Sequence, residues 1–277
     1  MKSPQNVHLQ AIAKNSTAKE IPGRVVCSTA TDDRRSARLS ARPPLPLDDI
    51  IGWDVRNWGR CLAHWQPWLA PLSTNSCKVL VLGERNGGIS LWFALLGFRV
   101  LCTDYRPPGE QPQQLHRQWK VQEHIGYAVA DVFKLAFPED FFDVVACKSV
   151  IGGLSLDYKD VSTRTLANQK LAVDEIRRVL KPGGIFFGAE NLIGTRAHMA
   201  LRRIQTKGNL GWRYLRTSEI RWLFSDYSAC EQRGYGFLGS HRPRFCGLNA
   251  LCATLDTLLS KVLPDNWLYI SFIRARK

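Results

Sequence analysis

Apolar and polar positions along the middle of the chain alternate in blocks that predict strands and helices in turn. Short apolar runs bounded by turn residues predict strands at 78–82, 99–103, 126–130, 142–147 and 185–190. Apolar residues at helical spacing predict helices at 88–97, near 112–123 and near 164–180. Strands and helices that alternate with short connections form parallel sheets covered on both faces. The pattern therefore predicts an α/β fold with a doubly wound, mostly parallel sheet.

The two ends of the chain follow different patterns. Residues 1–47 are rich in Ser, Thr, Ala, Arg and Pro and lack apolar periodicity, which predicts a disordered basic extension. An alternative is that they are translated sequence upstream of the true start. The main domain is predicted to span 48–277. Its last third predicts helices up to about 206, near 217–225 and at 246–263, and strands at 227–237 and 267–274.

Charge is distributed unevenly along the chain. The formal net charge of +14 divides into +5 over residues 1–47, zero over 48–195 and +9 over 196–277. Nucleic acid, a phosphate-bearing small molecule and an anionic membrane surface all attract such basic regions, and charge does not choose among them. No apolar run is long enough to span a bilayer, and the first residues lead into no signal core, so we expect a cytoplasmic protein.

The cysteines give no sign of a metal site. The chain has eight cysteines without a Cys-x-x-Cys pair. Cys61 and His64 have ligand-like spacing, but a zinc site needs about four ligands and nothing nearby completes the set. We therefore expect reduced core cysteines and no bound metal.

The turn after the first predicted strand carries the clearest chemical signal. The apolar run 78–82 breaks into Gly83-Glu84-Arg85-Asn86-Gly87-Gly88 and resumes as a helix, and the next strand ends on Asp104. Glycines allow a ligand to approach the backbone closely, and a carboxylate at the end of the second strand can accept both hydroxyls of a ribose. The pattern predicts a nucleoside-binding site.

Three further segments accompany this turn, and together they resemble the class I S-adenosylmethionine-dependent methyltransferases over roughly residues 50–277. The segments are Ala130-Asp131-Val132, Phe142-Asp143-Val144-Val145 and the helix and turn from Glu175 to Gly184. The resemblance implies a Rossmann-like, seven-stranded sheet with an antiparallel last strand, and S-adenosylmethionine as cofactor. It places the glycine turn at the methionine part, Asp104 at the ribose and Asp131 at the adenine. The implied cofactor-binding residues are Gly83, Glu84, Arg85, Gly87, Asp104, Tyr105, Asp131, Val132 and Lys148.

The chain also departs from the pattern of that family. The family often has an acid at the position of Val81 and a glycine at that of Arg85. Glu84 is a candidate for the missing negative charge, whereas Arg85 changes the shape and field of the turn. A narrower resemblance, to a branch associated with bacterial surface-polysaccharide biosynthesis, rests on the segments 87–92, 147–153, 189–192 and 236–239.

Methyl transfer from a sulfonium is an in-line displacement, so the acceptor must be aligned and a hydroxyl acceptor needs a base. Such groups belong at the carboxyl ends of the fourth and fifth predicted strands. We predict Lys148, Glu190 and Asn191 as catalytic residues, with Lys148 orienting an acceptor carboxylate or phosphate and Glu190 as the base. Ser149 is placed at the same sheet edge, and His198 is the competing base.

The residues after the fourth strand narrow the type of acceptor. Methyltransferases of exocyclic amines usually carry Asn/Asp-Pro-Pro-Tyr/Phe there, whereas this chain has Cys147-Lys148-Ser149-Val150. We interpret 195–265 as a basic cap on the acceptor side, whose aromatic and basic residues suit sugar stacking and phosphate pairing. These residues are Trp212, Arg213, Tyr214, Arg216, Arg221 and Trp222.

The sequence predicts O-methylation of a sugar or sugar-phosphate, an anionic small-molecule or glycan acceptor, in polysaccharide biosynthesis. One alternative is an RNA methyltransferase, although nucleic acid is not the favoured partner. Another is a non-catalytic binding module that retains the fold. Peripheral contact with a membrane is left open.

Overall fold

The computed structural model describes residues 45–157, 161–207, 211–239 and 246–277, and all of its helices and strands lie in the unit Leu47–Lys277. Within these residues a seven-stranded sheet has the order β3-β2-β1-β4-β5-β7-β6. The strands are β1 Lys78–Leu82, β2 Arg99–Asp104, β3 Ile125–Val129, β4 Phe142–Lys148, β5 Leu180–Asn191, β6 Ala229–Tyr235 and β7 Ile270–Arg276. Strand β7 runs antiparallel to both β5 and β6, and the remaining pairs are parallel. The predicted fold class is confirmed.

Helices alternate with the strands over much of the chain and pack against the sheet. They are α1 Leu47–Ile51, α2 Val55–Trp58, α3 Arg60–Leu69, α4 Gly88–Leu95, α5 Glu110–Gln118, α6 Leu166–Val179, α7 Arg196–Gln205, α8 Thr217–Leu223 and α9 Cys246–Val262. Most predicted elements are present with shifts of a few residues at their ends. For example, the predicted helix 88–97 ends at Leu95, because Gly97 adopts a left-handed conformation with φ +92°.

The segment Lys181-Pro182-Gly183-Gly184 ends α6 as predicted, but it belongs to the strand that comes next. Strand β5 begins at Leu180 rather than at 185, because Leu180 pairs with Phe142 at the start of β4. The backbone N–H of Gly183 donates to the carbonyl of Lys277, and the N–H of Lys277 donates to the carbonyl of Gly184. The last residue of the chain therefore fixes this turn.

The centre of the sheet is where the direction of strand addition reverses. From β1 the chain adds β2 and β3 on one side, whereas β4 and β5 lie on the other side of β1. Residues Val79 to Leu82 are all buried, as expected for a parallel strand covered on both faces. A crevice forms outside the carboxyl ends of β1 and β4, where α/β sheets bind ligands.

The helical segment ahead of β1 closes one end of the core. Trp58 and Trp65 are buried, and the ring of Trp65 stacks on Phe187 of β5 with 5.6 Å between centroids. Residues 1–44, most of the predicted extension, lie outside the described residues. Among the described helices, none is long and apolar enough to cross a membrane.

Candidate active site

A cavity of about 400 Å³ lies at the carboxyl ends of β1, β2, β3 and β4, a volume typical of small-molecule sites. Its walls come from α1 and the loop after it, the glycine turn, the ends of the four strands and one residue of the later chain. The lining residues are Asp49, Ile50, Ile51, Gly52, Trp53, Leu82, Gly83, Glu84, Arg85, Asn86, Gly88, Asp104, Tyr105, Ala130, Val132, Lys148, Ser149, Val150, Gly153, Leu154 and Trp212.

The glycine turn forms the floor of the cavity. Gly83 has φ +67°, and a Cβ there would lie 2.5 Å from Cγ2 of Val150. Gly88 begins α4, and a Cβ on it would lie 2.1 Å from the carbonyl oxygen of Ile50. The sequence therefore needs glycine at both positions, at Gly83 for its backbone conformation and at Gly88 for the close approach of α1.

Glu84 stabilises the start of α4 from inside the turn. Its carboxylate accepts the backbone N–H groups of Ile89 at 3.2 Å and Ser90 at 2.8 Å. These are N–H groups of the first helical turn, which have no partner within the helix, so the acid completes them. Burial raises the pKa of Glu84. Arg85, next to it, is exposed on the cavity wall and has no ion-pair partner among the described residues.

Asp104 lies at the end of β2 on the cavity wall, beside Tyr105. Its Oδ1 accepts the backbone N–H of Arg106 at 3.2 Å, and its Oδ2 has no hydrogen-bond partner among the described residues. The Tyr105 hydroxyl accepts the Nε–H of Arg106 at 2.8 Å. The carboxylate is thus fixed by one oxygen and presents the other, the arrangement needed to accept a ribose hydroxyl.

Two of the predicted cofactor residues stand just outside the cavity lining. Gly87 adopts φ +76°, and its carbonyl lies 2.8 Å from Nε2 of His116 on α5. Asp131 is exposed, with its Oδ1 accepting the backbone N–H of Phe133 at 3.0 Å. Its neighbour Val132 lines the cavity as predicted.

Lys148 ends β4 at the cavity, and its ammonium is held between aromatic rings. Its Nζ lies 3.1 Å from the ring centroid of Trp53 and 5.6 Å from that of Trp58. The Nζ is buried without a hydrogen-bond partner among the described residues. Burial lowers the pKa of Lys148 to about 8, although the negative charge of Glu84 partly offsets this. A buried amine with no partner, at the edge of a cavity, is a candidate for chemistry.

Ser149 and Asn191 form a hydrogen-bonded pair across the ends of β4 and β5. Nδ2 of Asn191 donates to Oγ of Ser149 at 2.8 Å. Ser149 has φ +54°, an uncommon conformation for a residue other than glycine, and its N–H donates to the carbonyl of Ala189 at 2.7 Å. Asn191 itself does not line the cavity. It fixes the hydroxyl of Ser149, which does.

Glu190, predicted as the base, is placed behind the cavity wall. The residue is fully buried, and its Oε1 accepts the backbone N–H groups of Val150 at 2.7 Å and Ile151 at 2.8 Å. Its Oε2 accepts the N–H of Gly152 at 3.3 Å. Burial raises the pKa of Glu190 to about 7. With both oxygens engaged by backbone, this carboxylate shapes the loop after β4 and does not face an acceptor.

His198, the competing base, is also engaged on both ring nitrogens. The backbone N–H of Thr195 donates to Nδ1 at 3.0 Å, so Nδ1 is an acceptor. The Nε2 is then the protonated nitrogen and donates to the carbonyl of Phe237 at 2.6 Å. His198 completes a capping box with Thr195 at the start of α7. It has a structural role.

The residues of the predicted basic cap fall into three groups: one lines the cavity, others pair inside the protein, and others are exposed to solvent. Trp212 packs closely against two glycines of the β4 loop, since a Cβ on Gly153 would lie 2.5 Å from its ring. Arg213 donates to Gln169 at 2.9 Å and pairs with Glu219 at 2.6 Å, so its charge is used internally. Arg216, Arg221 and Trp222 are exposed.

The sequence did not identify Trp53 or α1 as parts of the site. Trp53 is 46% exposed and lies between Gly52 at φ +82° and Asp54 at φ +42°. These two left-handed residues turn the ring over Lys148 instead of into the core. The sequence signal for this turn is the string Gly52-Trp53-Asp54, because glycine and aspartate tolerate left-handed conformations on either side of the tryptophan.

The cavity fits the cofactor implied by the sequence. Gly83 and Gly88 line its floor, and Oδ2 of Asp104, which has no hydrogen-bond partner among the described residues, can accept a hydroxyl. Residues 80–188 match the protein family described as "Methyltransferase domain". The chain carries a methyltransferase domain. It is an S-adenosylmethionine-dependent methyltransferase, and S-adenosylmethionine is its cofactor. A comparison of this methyltransferase with curated protein sequences gives no match.

Solved structures share the fold of this methyltransferase at low sequence identity. Phosphoethanolamine N-methyltransferase 2 of Haemonchus contortus, in complex with S-adenosyl-L-methionine, is 17% identical with a TM-score of 0.52, over 79% of this chain and 52% of that chain. The PH0226 protein of Pyrococcus horikoshii is 16% identical with a TM-score of 0.51, over 79% and 90%. The [4+2]-cyclase SpnF is 15% identical with a TM-score of 0.50, over 79% and 82%. At this identity the likeness concerns the fold alone.

The methyltransferase shows no metal centre in the part of the chain that the structure describes. Within those residues no group of three or more His, Cys, Asp or Glu side chains is placed to hold a metal ion. Cys61 is buried in the core.

Proposed function

We propose that this methyltransferase transfers a methyl group to a hydroxyl of a sugar or sugar-phosphate acceptor. The observation that carries the proposal is the buried amine of Lys148, which lies under Trp53 at the β4 end of the cavity. An amine with a lowered pKa is suited to take a proton from a hydroxyl, and indole rings are suited to stack on a sugar.

The cofactor is proposed to lie along the β1 and β2 side of the cavity. Gly83 and Arg85 would border its methionine part, Asp104 and Tyr105 its ribose, and Val132 its adenine. We also propose that Asp131 contacts the adenine and that Gly87 shapes the turn, as the sequence resemblance implies. When bound, S-adenosylmethionine supplies a methyl carbon made electrophilic by the positively charged sulfur. The residues of this chain then have to orient the acceptor, exclude water and remove its proton.

Lys148 is the proposed base in place of Glu190. Both oxygens of Glu190 accept backbone N–H groups, whereas the Nζ of Lys148 has no hydrogen-bond partner among the described residues. In its neutral form the amine has a lone pair that can take the proton of the acceptor's hydroxyl. The ring of Trp53 covers the amine, so the acceptor reaches it by displacing a side chain that is already half exposed.

Ser149 is proposed to orient the same acceptor. Its Oγ accepts from Asn191, so its hydroxyl proton is available to donate to an acceptor oxygen. Asn191 acts through Ser149 and is a positioning residue. Glu190 positions the backbone of Val150 to Gly152 behind them.

A sugar-like acceptor is favoured over RNA because part of the basic charge of the cap is internal. Arg213 pairs with Glu219, and Arg202 donates to the carbonyls of Leu192 and Ile193. The aromatic walls at Trp53 and Trp212 suit a small ring. We place the reaction in bacterial surface-polysaccharide assembly on the cytoplasmic side, on the strength of the sequence resemblance.

The acceptor class is tested by incubating the enzyme with labelled S-adenosylmethionine and three acceptor sets: nucleotide sugars, sugar phosphates and total RNA. We expect the wild type to form labelled, methylated sugar products, and the Lys148→Met variant to form almost none. The matched control is Lys134→Met, which removes an exposed lysine outside the cavity lining. Turnover on RNA with none on either sugar set would contradict the proposal.

A further inference from the structure

Helix α7 exposes most of its apolar residues and engages the protein through polar side chains. None of its residues is buried, and Ala197, Ala200, Leu201 and Ile204 are exposed at spacings of three and four that place them on one face. Ile204 is 74% exposed. The side chains that engage the protein are His198, which caps the helix, and Arg202, which also lies 4.0 Å from the ring centroid of Tyr214. This polarity is the reverse of that of an ordinary surface helix.

Helix α9 has the same reversed polarity. Its exposed apolar residues recur at spacings of four, three and four, and Val262 is 77% exposed. They are Leu251, Leu255, Leu258 and Val262. On the opposite face Asp256 is fully buried, and Ser260 is also buried. A helix that served only to cover the core would bury its leucines.

Hydrogen bonds prevent either helix from turning its apolar face inward. The carboxylate of Asp256 accepts the backbone N–H groups of residues 237–239 at 2.7 to 3.2 Å, and Nδ2 of Asn57 at 3.0 Å. His198 of α7 donates to the carbonyl of Phe237 in the same segment. Rotation of α9 would leave a buried carboxylate and three N–H groups without partners, at a large cost. Both helices are therefore fixed by hydrogen bonds to the segment 237–239. Leu238 of that segment is also an exposed apolar residue.

The charge around these faces indicates what covers them. Arg196 and Arg203 are exposed two turns apart on one flank of α7, and Lys261 is exposed at the end of α9. The only acidic residue of either helix, Asp256, is buried and engaged by backbone N–H groups. Two copies of such a surface repel each other, whereas an anionic lipid surface attracts it. Apolar faces with basic flanks are the features of helices that lie in a membrane interface.

We propose that α7, α9 and Leu238 dock the methyltransferase on an anionic membrane surface. The apolar residues enter the boundary between headgroups and acyl chains, and Arg196, Arg203 and Lys261 contact lipid phosphates. None of the described helices can span the bilayer, so the attachment is peripheral. The docking does not depend on which acceptor the enzyme uses.

The test is flotation of the full chain with vesicles of phosphatidylcholine and phosphatidylglycerol in equal parts, and with phosphatidylcholine alone. We expect binding to the anionic vesicles, weakened by salt, and at least about tenfold less binding for the double variant Ile204→Glu, Leu258→Glu. Leu171→Glu is the matched control, because Leu171 is an exposed leucine of α6. It should float like the wild type. All three replaced residues are exposed, so the variants should keep the wild-type thermal midpoint and cofactor affinity.

Three outcomes would overturn the docking proposal. One is the absence of wild-type flotation, and another is equal flotation of the wild type and the double variant. The third is a wild-type dimer in analytical ultracentrifugation that the double variant dissociates, which would assign the faces to a second copy. A failure here leaves cofactor binding and turnover on free sugars unaffected, so it is distinguishable from a failure of the proposed function.

Discussion

Replacing Lys148 with methionine should lower kcat by about a hundredfold to ten-thousandfold, the usual contribution of a general base, while cofactor affinity changes little. Methionine keeps much of the length of the side chain and its packing against Trp53, but it cannot accept a proton. Turnover measures the first effect and calorimetric titration with S-adenosylmethionine measures the second. The separation matters because a merely structural lysine would affect both together.

The pH dependence gives an independent check on Lys148. Its pKa is lowered to about 8, so the neutral, proton-accepting form increases as pH rises through that value. The rate should therefore rise with pH and level off above about 8. Lys148→Arg should not restore activity, because a guanidinium stays protonated throughout. A flat profile over this range, or a fully active Lys148→Arg enzyme, would contradict the proposed base.

Replacing Glu190 with alanine should lower the free energy of unfolding by about 3 kcal/mol or more, since it leaves three backbone N–H groups unpaired, those of Ile151 and Gly152 in buried surroundings. Glu190→Gln should be milder, because its amide oxygen can still accept from Val150 and Ile151. Chemical denaturation measures both changes. Glu139→Ala, which removes an exposed acid, is the control and should be nearly neutral.

The same pair of variants distinguishes a positioning residue from a base. We expect Glu190→Gln to retain most of kcat, whereas loss of a base would reduce it as strongly as Lys148→Met. The wild-type carboxyl has a pKa of about 7 in the folded protein, above its usual 4.5. Its contribution to stability is therefore complete below about pH 4.5 and is lost as pH rises through 7, and Glu190→Gln should remove this dependence. An inactive but fully stable Glu190→Gln enzyme would restore Glu190 as the base.

Local sequence patterns predicted the parallel sheet, the order of strands and helices along the chain, and the glycine turn that forms the cavity floor. The runs 78–82 and 142–147 are central strands whose continuous apolar character is itself the signal of burial on both faces. Gly83 and Asp104 end neighbouring strands, so their convergence follows from the parallel topology. Both line the cavity.

Contacts between distant parts of the chain could not be predicted from the sequence. Glu190 was correctly placed at the end of β5, but its partners lie about forty residues earlier in a loop whose path the sequence does not determine. Trp212 reaches the cavity because two glycines, Gly152 and Gly153, leave room for its ring. His198 was recognisable in part, since a Thr-x-x-His string at a helix start resembles a capping box.

We expect this cavity to bind S-adenosylmethionine through the glycine turn and Asp104. Isothermal titration of the wild type, Asp104→Ala and Glu123→Ala tests it most directly, since Glu123→Ala removes an equal charge from an exposed position outside the cavity lining. We predict one-to-one binding by the wild type and by Glu123→Ala, and affinity reduced by about ten- to a hundredfold in Asp104→Ala, the loss expected for hydrogen bonds to a charged group. No binding by the wild type, or equal affinity in all three proteins, would contradict this mode of cofactor binding.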